Sequence, residues 1–191
     1  MINNPYYGQE GHGPYEMIDI GKLDLEEGGK MPNCKLGVAT HGKLNADKSN
    51  AILFTTWYSG TNKLLEQVYT GKGRALDPDK YFIIICNQIG NGLSTSAHNT
   101  DVPGGFPKVR IGDDVRAQHK LVTEKYGIKE LALVVGGSIV IPHLRRAVAG
   151  EPPRCLGDVA GAALPFQGLI AQPYIGDGFL DPPRLVRVFG G

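Results

Sequence analysis

Leu131-Ala132-Leu133-Val134-Val135-Gly136-Gly137-Ser138 is an unbroken apolar run that enters two glycines and a serine. Apolar residues at consecutive rather than alternate positions fit a strand covered on both faces, the situation of a parallel sheet. Two earlier runs, Ala51-Ile52-Leu53-Phe54 and Tyr81-Phe82-Ile83-Ile84-Ile85-Cys86, have the same character and are bounded by polar turns. Between the second and the third lies Asp113 to Tyr126, with Val115, Leu121 and Val122 at helical spacing, Asp113 or Asp114 placed to cap, and Gly127 to stop. Strand, helix, strand predicts an α/β fold: a mostly parallel sheet with strands near 51–55, 81–86 and 131–136 and the 113–126 helix packed across it. Ligands of such sheets sit beyond the carboxyl ends of the strands.

Upstream, residues 15–25 alternate apolar and polar, as do residues 34–40 after the turn signal Glu27-Gly28-Gly29, which predicts an N-terminal antiparallel hairpin. Gly90 to Gly105 is a Gly/Ser/Asn-rich loop leaving a strand end, and so a wall of the expected site. Downstream of Ser138 the composition changes, for residues 139–191 contain no Lys and no Asn while Arg, Pro, Gly and Ala are frequent. Pro142, Pro152, Pro153, Pro165, Pro173, Pro182 and Pro183 break any long element there, leaving only a short helix at 144–149 ended by Gly150. The chain thus divides into a body, residues 1–138, in which the sheet is incomplete after the serine-bearing strand, and a tail, residues 139–191.

With 191 residues, 41% hydrophobic, 20% charged and a formal net charge of +1, the chain has apolar mass for one core. It lacks the basic patch that a nucleic-acid or anionic-membrane partner requires. Small-molecule chemistry and protein contacts, a homodimer among them, remain. Met1 to Gly8 has neither a basic n-region nor an apolar h-region, and no run reaches bilayer length, so a cytoplasmic protein is expected. The three cysteines, Cys34, Cys86 and Cys155, are odd in number and widely spaced, which predicts free thiols, Cys86 buried. No His/Cys/Asp cluster has metal-ligand spacing, so no metal is expected.

Val134-Val135-Gly136-Gly137-Ser138 supplies the first three-fifths of the G-x-S-x-G elbow, in which a strained turn projects a serine oxygen and the next backbone N–H meets an oxyanion. By itself Gly-Gly-Ser after a strand also fits a plain left-handed turn. Further blocks fall in a fixed order: Thr40-His41-Gly42-Lys43-Leu44-Asn45, Ser49-Asn50-Ala51-Ile52-Leu53, Ala75-Leu76-Asp77-Pro78-Asp79-Lys80-Tyr81-Phe82-Ile83-Ile84, Cys86-Asn87-Gln88-Ile89-Gly90, Phe106-Pro107-Lys108-Val109, Asp114-Val115-Arg116-Ala117-Gln118 and Gly127-Ile128. In these blocks, over about residues 15–138, the sequence resembles the homoserine O-acetyltransferase family of the α/β-hydrolase superfamily. The resemblance implies a Ser-His-Asp triad, acetyl-CoA as acyl donor with no bound cofactor, a small-molecule hydroxyl as acceptor, and a place in methionine biosynthesis. It places the nucleophile at Ser138 and an oxyanion loop at Thr56-Trp57-Tyr58-Ser59-Gly60, with backbone donors at Tyr58 and Ile139. Substrate-binding residues are not identified by it.

The pattern departs from the family at several points. Thr56 and Tyr58 stand where the commoner wording has His and Leu, and Ile139-Val140 where it has Met and Gly. Pro142 removes a backbone donor in the first turns of the expected nucleophile helix. The triad order Ser, acid, His cannot be met within the chain, because His143 precedes Glu151, Asp158, Asp177 and Asp181. His12, His41, His98 and His119 belong to other elements; His41 and His98 read as turn or loop residues and His119 as a surface residue of the 113–126 helix. Gly90-Asn91-Gly92-Leu93-Ser94 invites a phosphate-cradle reading but has neither G-x-G-x-x-G spacing nor a P-loop Lys. The leading expectation is an O-acyltransferase of the homoserine O-acetyltransferase type. Its alternatives are an esterase on the same fold and a catalytically inactive product truncated or frame-altered after Ser138.

Overall fold

The computed structural model describes residues 5–136. Among them five strands form one sheet, β1 (Glu16–Asp24), β2 (Lys30–His41), β3 (Ala51–Thr55), β4 (Phe82–Cys86) and β5 (Leu133–Gly136), in the order β1-β2-β4-β3-β5. The hairpin β1-β2 is antiparallel and β2 meets β4 antiparallel, while β3 runs parallel to both β4 and β5. The mostly parallel α/β sheet with an N-terminal hairpin is therefore present. Its third parallel strand opens at Leu133 rather than Leu131, Leu131 being a fully buried core side chain just ahead of the ladder.

β2 starts at Lys30, ahead of the onset at Cys34 that alternation predicts. Shifts of register on either side of Gly21 pair Asp19 with Lys35, Gly21 with Cys34 and Leu23 with Met31, so that the period of two is broken where the strands already pair. The connection is the tight turn from Leu25 to Gly29, in which Gly28 (φ 83°) and Gly29 (φ 87°) take the left-handed backbone.

Helix α1 (Gln9–His12) is a single turn, and α2 (Asn62–Tyr69) crosses from β3 to β4. Helix α3 (Ile111–Lys120) continues into a wider π turn over Leu121–Lys125. It begins at Ile111, before the expected start, and neither aspartate is its N-cap. Arg110 is, and the Asp113 carboxylate reaches back to accept the Arg110 N–H at 2.7 Å and the Glu26 N–H at 2.9 Å. Asp114 points into the core instead. The π turn brings Leu121 and Val122 in succession onto the buried face predicted for them.

β3 is buried at every position because both faces of the sheet are covered. On one face Leu53, Ile84 and Cys86 pack with Leu36 and Val38 of the hairpin and with Val115, Ala117, Leu121 and Val122. On the other, Ile52, Phe54, Ile83 and Ile85 meet Leu65 of α2, with Trp57 and Tyr69 at the margin. Cys34 and Cys86 are free and both buried, where burial pushes the Cys34 thiol up to about 12 and the Cys86 thiol well above its ordinary value; Cys155 lies outside the described residues. No described helix is long and apolar enough to cross a membrane.

Gly42 closes β2 against the turn before β4. Its φ is 77°, and an added Cβ would fall on the Tyr81 carbonyl oxygen and 2.6 Å from that of Pro78. Both obstacles are backbone and cannot swing away. Gly42→Ala is expected to lower unfolding stability by at least about 2 kcal/mol through left-handed strain plus the clash. A urea midpoint unchanged in the variant would refute this.

Candidate functional site

The three parallel strands end level, since Thr55 is the register partner of both Cys86 and Gly136. Two loops, residues 56–61 and 87–110, leave these carboxyl ends, and β5 delivers the chain at Gly136 beside the first of them. This is the crevice in which open α/β sheets hold their ligands. Ser138 and Ile139, the nucleophile and second oxyanion donor implied by the resemblance, lie outside the described residues, as does His143.

Tyr58 is described, and it stands on the 56–61 loop. The loop leaves β3 through Thr56, whose N–H donates to the Cys86 carbonyl at 3.1 Å and whose Oγ1 accepts the Gln88 N–H at 3.2 Å. The chain then turns, with the Gly60 N–H donating to the Trp57 carbonyl at 3.0 Å. A Cβ on Gly60 would lie 2.8 Å from the Trp57 indole, so glycine lets the ring fold over its own turn. Ordinary packing accounts for Trp57, which flanks the core cluster under α2. It does not account for Tyr58, whose residue is 78% exposed.

The 87–99 stretch has no helix or strand, yet its amides are spent internally. Gly90 N–H donates to the Thr95 carbonyl, Gly92 N–H to Ser96 Oγ, Leu93 N–H to Asn91 Oδ1, Thr95 N–H to the Lys35 carbonyl and Ser96 N–H to Asn99 Oδ1. A phosphate nest needs such N–H groups pointing at an anion. The loop serves as a rigid wall instead.

Asn87, fully buried at the end of β4, joins the two loops. Its Nδ2 donates to the Gly37 carbonyl at 2.8 Å and to Asn62 Oδ1 at 3.0 Å, while its Oδ1 accepts the Asn62 N–H at 3.0 Å and Asn91 Nδ2 at 3.3 Å. Ser94 Oγ donates to the Asn87 carbonyl at 2.6 Å and accepts the Gly37 N–H at 2.9 Å. Sequence reasoning does not single out Asn62, Asn87 or Asn91 for this role: Asn91, between Gly90 and Gly92, signals only a turn, and Asn62 and Asn87 carry no local pattern that marks them as partners.

Asp114 ties α3 to the same wall, its Oδ1 accepting the Ile89 N–H at 2.8 Å. Burial pushes its carboxyl up to about 7, against the lowering effect of the Ile89 bond and with a smaller upward push from Asp113. On the opposite flank the N-terminal segment is clamped to the wall. Asn62 Nδ2 donates to the His12 carbonyl at 2.9 Å, Lys63 Nζ donates to that of Gly13 at 3.1 Å, and the Tyr7 ring lies over Gly92 and 5.3 Å from the His98 ring.

The histidines are dispersed. His41 ends β2 rather than sitting in a turn, and its Nε2 lies 3.5 Å from Glu66 Oε1. Burial pushes the Glu66 carboxyl up, but the close His41 ring and the bond from Asn62 Nδ2, with Lys63 adding less, outweigh it and hold the group below its ordinary value. His12 packs edge-on against Tyr6, His98 lies in the 87–99 wall and His119 is exposed on α3. None of the four hydrogen-bonds to the 56–60 loop among the described residues. Nor do those residues hold a group of three or more His, Cys, Asp or Glu able to bind a metal ion.

No family model matches the chain. It is 67% identical to an ethyl acetate hydrolase of Pseudomonas veronii over 139 residues, 71% of this chain and 40% of that protein. Identity to a homoserine O-acetyltransferase of Thermobifida fusca is 33% over 135 residues, 61% of this chain and 35% of that protein. Among solved structures, the acetyl esterase MekB superposes with a TM-score of 0.74 at 60% identity, covering 78% of this chain and 44% of that one. The chain thus spans about 40% of the length of the ethyl acetate hydrolase it matches. Its similarity runs to esterases and acyltransferases alike, and its described residues have the fold of the front part of an α/β-hydrolase.

Proposed function

We propose that residues 1–138 are the nucleophile-bearing portion of a serine esterase acting on short acetyl esters, with water as the acyl acceptor. The observation that carries this reading is the contrast between 67% identity to an ethyl acetate hydrolase and 33% to a homoserine O-acetyltransferase. It reverses the order expected from sequence, in which the acyltransferase led. The departures at Thr56 and Tyr58 from the transferase wording are in keeping with it.

In this reading the Ser138 oxygen attacks the ester carbonyl, and the backbone N–H groups of Tyr58 and Ile139 meet the oxyanion. The alcohol leaves with a proton, and water then releases acetate from the serine. A backbone donor is indifferent to its own side chain, so Tyr58 can keep this role while its ring stands exposed at the rim. Acetyl transfer from acetyl-CoA to a hydroxyl would use the same acyl-serine and differ only in the acceptor.

The test joins residues 1–138 to the remaining portion of the Pseudomonas veronii ethyl acetate hydrolase. The chimera is expected to release acetate from ethyl acetate and p-nitrophenyl acetate, at a rate unaffected by homoserine, and to lose this with Ser138→Ala. Consumption of acetyl-CoA coupled to an alcohol, without ester hydrolysis, would favour the transferase.

A further inference from the structure

We propose that Asn87 is a positioning residue that fixes the far end of the oxyanion loop, next to the bonds by which the backbone of its neighbours Cys86 and Gln88 holds the start. The inference rests on the esterase reading of residues 56–60 and names what holds them in place.

The loop begins at Thr56 and ends where α2 begins at Asn62. At its start it is bonded to Cys86 and Gln88, the residues on either side of Asn87. At its end the Gly60 carbonyl accepts Asn91 Nδ2 at 3.2 Å, and the Asn62 N–H donates to Asn87 Oδ1 at 3.0 Å. Thr61, the N-cap of α2, makes no side-chain capping bond. The first N–H of the helix is instead satisfied from β4 by Asn87, a remote replacement for the cap.

The Asn87 amide cannot rotate to any other arrangement without loss. Its Nδ2 faces two acceptors, the Gly37 carbonyl and Asn62 Oδ1, and its Oδ1 faces two donors, the Asn62 N–H and Asn91 Nδ2. Turned over, it would set like against like at all four contacts. A network satisfied in only one orientation is what a backbone N–H at Tyr58 needs, since an oxyanion donor contributes only while its direction is held.

Hydrogen exchange on the full 191-residue chain tests this. Asn91→Ala removes, at a half-buried position, the Gly60 bond together with those to Asn87 Oδ1 and the Leu93 N–H, and Asn87→Ser removes the central amide. Each is expected to raise exchange at residues 57–62 by at least about tenfold, the size of a single lost hydrogen bond, since each removes more than one, while β1, β2 and α3 keep their protection. A merely structural role would raise exchange across the domain in proportion to lost stability, and that result, or no change at 57–62, would overturn the proposal. The chimera with Asn91→Ala supplies the catalytic readout: kcat for p-nitrophenyl acetate is expected to fall about tenfold with KM unchanged. A fall confined to KM would overturn the link to the oxyanion. A chimera inactive with Asn91 intact would sink the esterase reading itself, which the exchange data do not depend on.

Discussion

The 191-residue chain, purified alone, is expected to hydrolyse p-nitrophenyl acetate no faster than its Ser138→Ala variant, while the chimera exceeds both by several orders of magnitude. The reason is visible in the order of residues after Ser138. An α/β-hydrolase triad runs serine, acid, histidine, whereas here His143 comes before Glu151, Asp158, Asp177 and Asp181. Among the described residues, the upstream histidines are committed elsewhere or stand apart from the 56–60 loop, His41 against Glu66 and His98 against Tyr7. Loss of a triad base costs on the order of a millionfold in turnover, about 8 kcal/mol of transition-state stabilisation. Val140 and Pro142, at the positions of the elbow's last glycine and the following helix, act in the same direction. A fluorophosphonate probe provides the direct measurement. Rapid labelling that disappears in Ser138→Ala would show that a histidine reaches the serine by another route.

What sequence reveals of this fold follows from how each element is buried. β3 and β4 are enclosed on both faces, so their apolar runs are continuous and their limits are readable to within a residue. The hairpin announces itself by alternation, and β1 is read to within a residue, but the start of β2 is hidden because the bulge near Gly21 offsets the partners. Helix α2 is not foreseen at all. Of its apolar residues Leu64, Leu65 and Val68, only Leu65 is buried, so their spacing does not mark the face that packs. The 56–60 loop is picked out only through resemblance, as the proposed oxyanion loop, and the residues that hold it are not picked out at all. Asn87 acts through four partners, Gly37, Asn62, Asn91 and Ser94, that are spread along the sequence and brought together only once the sheet has formed.

Asp114→Asn is expected to stabilise the protein at neutral and alkaline pH and to have little effect below about pH 4. The carboxyl is buried at the start of α3 and accepts one bond, from the Ile89 N–H. Its folded-state value of about 7, set first by burial and then by Asp113, lies well above the unfolded value of about 3.9. The folded chain therefore binds more protons than the unfolded chain between these limits. Stability present below about pH 4 is lost as the pH rises towards 7, by at most about 4 kcal/mol, at about 1.4 kcal/mol for each pH unit between the two values. The thiols of Cys34 and Cys86, which face this carboxylate, have their own values raised and stay protonated throughout the window. Glu66 and Asp77, held below their ordinary values, contribute the opposite slope at more acidic pH, so the informative quantity is the difference between the two proteins. Asparagine keeps an oxygen for the Ile89 N–H and carries no charge. Denaturant titrations of both proteins from about pH 4 to about pH 8 should diverge steadily in favour of the variant. Parallel curves would mean that Asp114 is ionised without cost in the folded state, and that the tie between α3 and the 87–99 wall is an ordinary carboxylate bond.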